Sequence, residues 1–211
     1  MSENLSQIRF FAENYSRLQG LRMVPYGMLM VFISVWAVYN HGPNADLSAP
    51  ILAAIGAALL YWLIDRYYGR VYGRVKPTAQ RKIREYTTSV AVGVVALLAF
   101  WLDVTFELPV SFIGLIFSAT LFGDFWRATK SVRGKALAFY PENALAALLI
   151  LIISILPLFG ISWWQYFGLE SQVVSVVIVN GIIMILAGSW GHLRILRVLP
   201  MVETKANDNA I

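Results

Sequence analysis

The sequence predicts an all-α polytopic membrane protein with six transmembrane helices and both termini in the cytoplasm. Three observations carry this reading. First, 58% of the 211 residues are apolar and only 14% charged, too little polar surface to clothe a water-soluble domain of this size. Second, apolar stretches without internal charge recur at Val24 to Tyr39, Ile51 to Ile64, Tyr86 to Leu102, Leu108 to Gly123, Ala144 to Ser162 and Val173 to Trp190. A bilayer crossing takes roughly 20 residues, and flanking Tyr, Trp and Arg side chains extend the shorter stretches by reaching to the interface. Third, the 17 Lys and Arg residues fall three before the first stretch, seven between the second and third, four between the fourth and fifth, and three after the sixth. The alternate connections, His41 to Ala49, Asp103 to Glu107 and Trp163 to Gln172, hold none. The positive-inside rule then places both termini in the cytoplasm.

Three units follow along the chain. Residues 1–22 form an amphipathic segment at the cytoplasmic interface: Leu5, Ile8, Phe11, Tyr15 and Leu18 make a helical apolar stripe with polar residues between. A docking helix for a partner is the competing reading. Glu3, Arg9, Glu13, Arg17 and Arg22 with no apolar core among them do not make a cleavable signal peptide. Residues 23–200 are one six-helix transmembrane domain, and residues 201–211 a disordered cytoplasmic tail.

Within the domain the aromatic residues agree with the topology. Trp36, Trp101, Trp163 and Trp164 lie at the outer ends of their stretches, and Trp62, Trp126 and Trp190 at the inner ends. Pro25, Pro50, Pro109 and Pro141 stand near helix starts and Pro200 beyond the last helix, where a missing amide costs little. Pro157 interrupts the fifth stretch, as a kink absorbed by packing or as a hinge. In the second, Ala53, Ala54, Gly56, Ala57 and Ala58 offer a small-residue face for close packing, within the monomer or across a dimer.

Several chemistries are excluded. There is no cysteine, hence no disulfide, thiolate nucleophile or thiolate metal site. His41 and His192 are predicted on opposite faces of the membrane, so no metal or haem site is expected and no cofactor is assigned. No HExxH, GxSxG or phosphate-cradling glycine loop occurs. No ionisable residue interrupts the six stretches, which argues against a proton- or ion-coupled transporter.

The candidate functional residues lie at the predicted cytoplasmic face. If the second helix continues below the membrane, Arg66, Arg70 and Arg74 share one face, and Lys76, Arg81, Lys82 and Arg84 follow. Such a polybasic segment attracts anionic lipid by about 1 kcal/mol per charge near the leaflet, or serves as an unselective topology anchor. Asp65, Asp124 and His192 each end an even-numbered helix and would form a polar cluster at the cytoplasmic mouth if these ends converge. Asn180, beside Gly181 in the sixth helix, is expected to hydrogen-bond a neighbouring helix or to touch a substrate.

The ending Gly191-His192-Leu193-Arg194-Ile195-Leu196-Arg197-Val198-Leu199-Pro200 resembles the His-x-x-x-x-Arg-x-Leu-Pro ending of an uncharacterised family of bacterial multi-span membrane proteins, which usually has aspartate where this chain has Gly191. The basic segment Tyr67 to Pro77 is similar to theirs as well. The resemblance implies a bacterial inner-membrane protein and carries no established activity.

Charge-free spans, short outer connections and an inner basic surface favour a non-enzymatic accessory or regulatory subunit. Its expected partners are anionic membrane lipids, a partner membrane protein or a second copy of the chain, with no nucleic acid. The alternative is a small permease or channel for uncharged solutes or lipids, its cavity lined by Asn180, Ser118, Thr120 and Ser154. An interfacial enzyme would have to draw on Asp65, Asp124 and His192 as acid and base.

Overall fold

The computed structural model describes residues 20–40, 47–71, 79–106, 108–132, 141–169 and 171–198. These are almost wholly helical, with no strand among them. The predicted amphipathic helix, the tail 201–211 and the basic residues Arg74 and Lys76 lie outside the described residues.

Helix α1 spans Val24–Tyr39, entered through a 3-10 turn at Gly20–Met23 with Pro25 in its first turn. Helix α2 runs Ser48–Val71, so it does continue through Arg66 and Arg70. Helix α3 is Ala79–Phe106 and α4 is Phe112–Val132. Helix α5 runs Pro141–Ile155, and a 3-10 turn at Leu156–Phe159 continues it to Gly160. After a second 3-10 turn at Trp163–Phe167, helix α6 runs Gln172–Val198.

Pro157 therefore ends a helix rather than bending one. Lacking an amide and crowding the preceding turn, it converts the path to 3-10 geometry, and Gly160 closes the turn at φ 75°. The 15 residues of α5 rise about 22 Å and the four 3-10 residues add about 8 Å. Together they match the roughly 30 Å of a hydrocarbon core.

Five helical segments are long and apolar enough to cross a membrane: Gly20–Tyr39, Ser48–Val71, Tyr86–Phe106, Pro141–Phe159 and Gln172–Leu196. The remaining helix, α4, begins four residues later than the apolar stretch that predicts it and runs only from Phe112 to Gly123 before Asp124, Arg127 and Lys130 enter. That apolar part rises about 18 Å. The exterior fits a membrane protein: Leu52 and Leu59 on α2 and Leu97 and Leu98 on α3 are exposed, a coat that a water-soluble chain of this size does not carry.

Helix α6 is the hub, with α1 antiparallel on one side and α5 on another. Helix α2 packs on the outside of α1, and α3 and α4 complete the bundle beyond α5. The core lies between α4, α5 and α6, where Leu121, Ala146, Ala147, Ile150, Ile183 and Ala187 meet.

Two close approaches set this geometry. Gly20 and Gly27 on one strand of the seam face Gly188 and Gly181 on the other. A Cβ on Gly27 would stand 2.5 Å from the Gly181 carbonyl oxygen, and one on Gly20 would stand 2.4 Å from that of Gly188. On the small face of α2 no such approach occurs within the chain among the described residues, where a Cβ on Gly56 would meet nothing within 4 Å.

Candidate functional site

Polar side chains gather at the two ends of the bundle. At the His192 end, α2 presents two faces. Tyr61, Ile64, Asp65 and Tyr68 recur at helical spacing and turn toward α1 and its entry turn, with Tyr68 only 1% exposed. Trp62, Arg66 and Arg70 recur every fourth residue on the outer side, all exposed.

On the inner face Arg22 pairs with Asp65 and lies 5.7 Å from the Tyr61 ring centroid. The Tyr68 hydroxyl accepts the Leu21 amide at 3.4 Å and lies 2.9 Å from His192 Nδ1. On the far side of α6, Arg194 donates to Glu142 Oε1 at 2.5 Å. Glu142 is 3% exposed, and its Oε2 has no hydrogen-bond partner among the described residues. It stands in the first turn of α5, where the helix dipole favours a carboxylate. Gly191 leaves room for it, since a Cβ there would meet Oε1 at 3.2 Å.

On the outer face the Arg66 guanidinium sits 5.3 Å from the Trp62 ring centroid, a cation–π contact. Among the described residues neither Arg66 nor Arg70 is ion-paired. Among the described residues, Asp65 and Glu142 at this end are engaged by other arginines.

Of the predicted polar cluster, Asp65 and His192 come to one neighbourhood, joined through Tyr68 one turn beyond Asp65. Asp124 lies on α4, 3.8 Å from Arg127. Among the described residues no three His, Asp or Glu side chains are placed to hold a metal ion. The side chains of Arg81, Lys82 and Arg84 lie outside the described residues, although their backbone is part of α3.

Asn180 is 0% exposed, on the face of α6 that carries Val176, Ile183 and Ala187. Neither its amide nitrogen nor its oxygen has a hydrogen-bond partner among the described residues. The other hydroxyls expected beside it are engaged by backbone: Ser118 donates to the Ala147 carbonyl, Thr120 to Ile116 and Ser154 to Ile150.

The opposite end holds a feature the sequence reading assigned to a loop. Asp103 belongs to α3, is 3% exposed, and caps the start of α4. It accepts the Phe112 amide at 2.7 Å, the Ile113 amide at 3.0 Å and the Ser111 hydroxyl at 3.0 Å. Ser111 in turn accepts the Gly114 amide at 3.3 Å, so the first three amides of α4 are satisfied. The signal available in the sequence was a serine before an apolar run, eight residues after an aspartate with Pro109 between them.

Asp103 and Ser111 border a cleft of about 350 Å³, closed on other sides by Val104, Trp164, Gln172 and Val173. Comparison of the chain with family models, curated proteins and solved structures found no match.

Proposed function

We propose that the chain is a non-enzymatic, six-span inner-membrane protein of a bacterium, with both termini cytoplasmic, acting as an accessory or regulatory subunit. Its basic cytoplasmic surface holds anionic lipid or a partner protein. The observation that carries this is the division of labour on α2: Asp65 is engaged by Arg22 on the inner face, while Arg66 and Arg70 stand exposed on the outer face above Trp62. A tryptophan at headgroup depth with two guanidinium groups on successive turns suits lipid phosphate.

Less favours a permease or channel for uncharged solutes or lipids. The hydroxyls that would line its path are bonded to backbone carbonyls, and Asn180 is sealed in the packed core. In the six-span arrangement α4 crosses with help from its interfacial residues Trp126 and Arg127.

The test is native mass spectrometry of the protein released from its own membrane. Retained phosphatidylglycerol or cardiolipin, or a stable partner protein, that is lost in the Arg66→Gln/Arg70→Gln variant supports the reading. Equal retention by the wild type and the variant overturns it.

A further inference from the structure

The cleft at the Asp103 end lies across the bundle from the basic surface. At about 350 Å³ it is far larger than the roughly 30 Å³ of one water. It falls within the range of small-molecule sites.

Among the described residues its lining includes one formally charged residue, Asp103, and neither lysine, arginine nor histidine. Anions are therefore disfavoured. The start of α6 at Gln172 offsets this by at most about half a charge, and the start of α4 is already taken up by Asp103.

A carboxylate offers about four acceptor positions. In Asp103, Oδ2 takes Ser111 and Ile113 while Oδ1 takes Phe112 alone, so one position on Oδ1 is left among the described contacts. Trp164 lines the same cleft, its ring set edge-to-face on Trp163, and an aromatic ring attracts a cation at its face. Gln172 and Ser171 add neutral oxygen acceptors to the lining.

From these we infer that the cleft binds a primary ammonium group, its N–H donating to Asp103 Oδ1 and its charge resting against Trp164. Two sources present this chemistry: a small soluble amine, or the ethanolamine headgroup of a phospholipid entering from the leaflet.

The test uses the full chain in maltoside micelles, titrated with ethylammonium chloride and, separately, with sodium chloride, reading the heat of binding by isothermal titration calorimetry. The expected result is a saturable change with ethylammonium alone, abolished in Asp103→Asn and weakened at least tenfold in Trp164→Leu. Asparagine keeps an oxygen for the helix cap while removing the charge; Trp164→Leu leaves the cap untouched, so it remains informative should Asp103→Asn unfold. A parallel native mass spectrum of protein incubated with equal phosphatidylethanolamine and phosphatidylglycerol separates the sources. Selective retention of phosphatidylethanolamine that Trp164→Leu abolishes identifies the headgroup; saturable ethylammonium binding without lipid retention identifies a soluble amine. The same response to both salts, with lipid retention unaffected by either substitution, overturns the proposal.

Discussion

Gly27 and Gly181 meet backbone to backbone across the α1–α6 seam, so closely that a methyl group on Gly181 would stand 2.7 Å from the Gly27 carbonyl oxygen and 3.2 Å from the Val31 amide nitrogen. Both are backbone, and the third near atom, Val31 Cγ2 at 2.7 Å, belongs to a stiff β-branched side chain, so α1 as a whole would have to retreat. Such overpacking costs about 1–3 kcal/mol. Gly181→Ala is therefore expected to lower the thermal midpoint of the detergent-solubilised protein, followed by circular dichroism. Gly56→Ala, where the added methyl meets nothing within 4 Å among the described residues, is expected to be neutral or stabilising by about 0.5–1 kcal/mol. Equal midpoints for the two variants would refute the seam.

The second expectation concerns Glu142 and Arg194. The carboxylate is buried and one of its oxygens has no hydrogen-bond partner among the described residues, so it depends on the guanidinium at the other. Removing the cation alone strands a buried charge, at a cost of about 3–5 kcal/mol. Arg194→Met should be markedly destabilising, while Glu142→Gln/Arg194→Met should recover much of the loss. A double-mutant cycle by chemical denaturation measures this, and additive single effects would show that the two side chains do not depend on each other.

Tyr68 ties three segments at one hydroxyl: its own helix, the Leu21 amide and His192 on α6. With the residue 1% exposed, water cannot replace the lost partner. Tyr68→Phe should cost about 1–3 kcal/mol and speed hydrogen exchange at the Leu21 amide. Tyr67→Phe, which changes an exposed ring in contact with His192 at 5.9 Å between centroids, should leave both readings unchanged. Identical exchange in the two variants would separate the hydroxyl from the order of this end.

Why some of this was legible beforehand and some not follows from what each feature depends on. Helix α1 occupies the same residues, Val24–Tyr39, as its apolar stretch, since burial against lipid and a helix's own hydrogen bonds are local demands. That Arg66 and Arg70 share a face of α2 was legible for the same reason, since it needs only helical periodicity. Tyr68 and His192 are 124 residues apart, and Glu142 and Arg194 are 52 apart, so only the packing order of helices joins them. The seam was hidden likewise, for Gly20 and Gly27 look ordinary until Gly181 and Gly188 face them. Asp103 was misplaced because a charge at the edge of an apolar stretch suggests its end; with three donors around the carboxylate, α3 carries it inside instead.

The last expectation tests the α4–α5 contact through a compensated pair. A Cβ on Gly114 would fall on the Ser154 hydroxyl and stand 3.0 Å from Ser154 Cβ and 3.2 Å from Val176 Cγ1. Ser154 is fully buried and its hydroxyl is held by the Ile150 carbonyl, so it cannot swing away without breaking that bond. Gly114→Ala alone is therefore expected to destabilise by about 1–3 kcal/mol. Ser154→Gly alone should also destabilise, through a small cavity and the poorer helix propensity of glycine. Combined, the inserted methyl occupies the space the hydroxymethyl group vacates, and the double variant should be more stable than Gly114→Ala. The thermal midpoints of the three variants read this directly. A double variant no more stable than Gly114→Ala would mean that Val176 rather than Ser154 sets the limit on how closely α4 approaches.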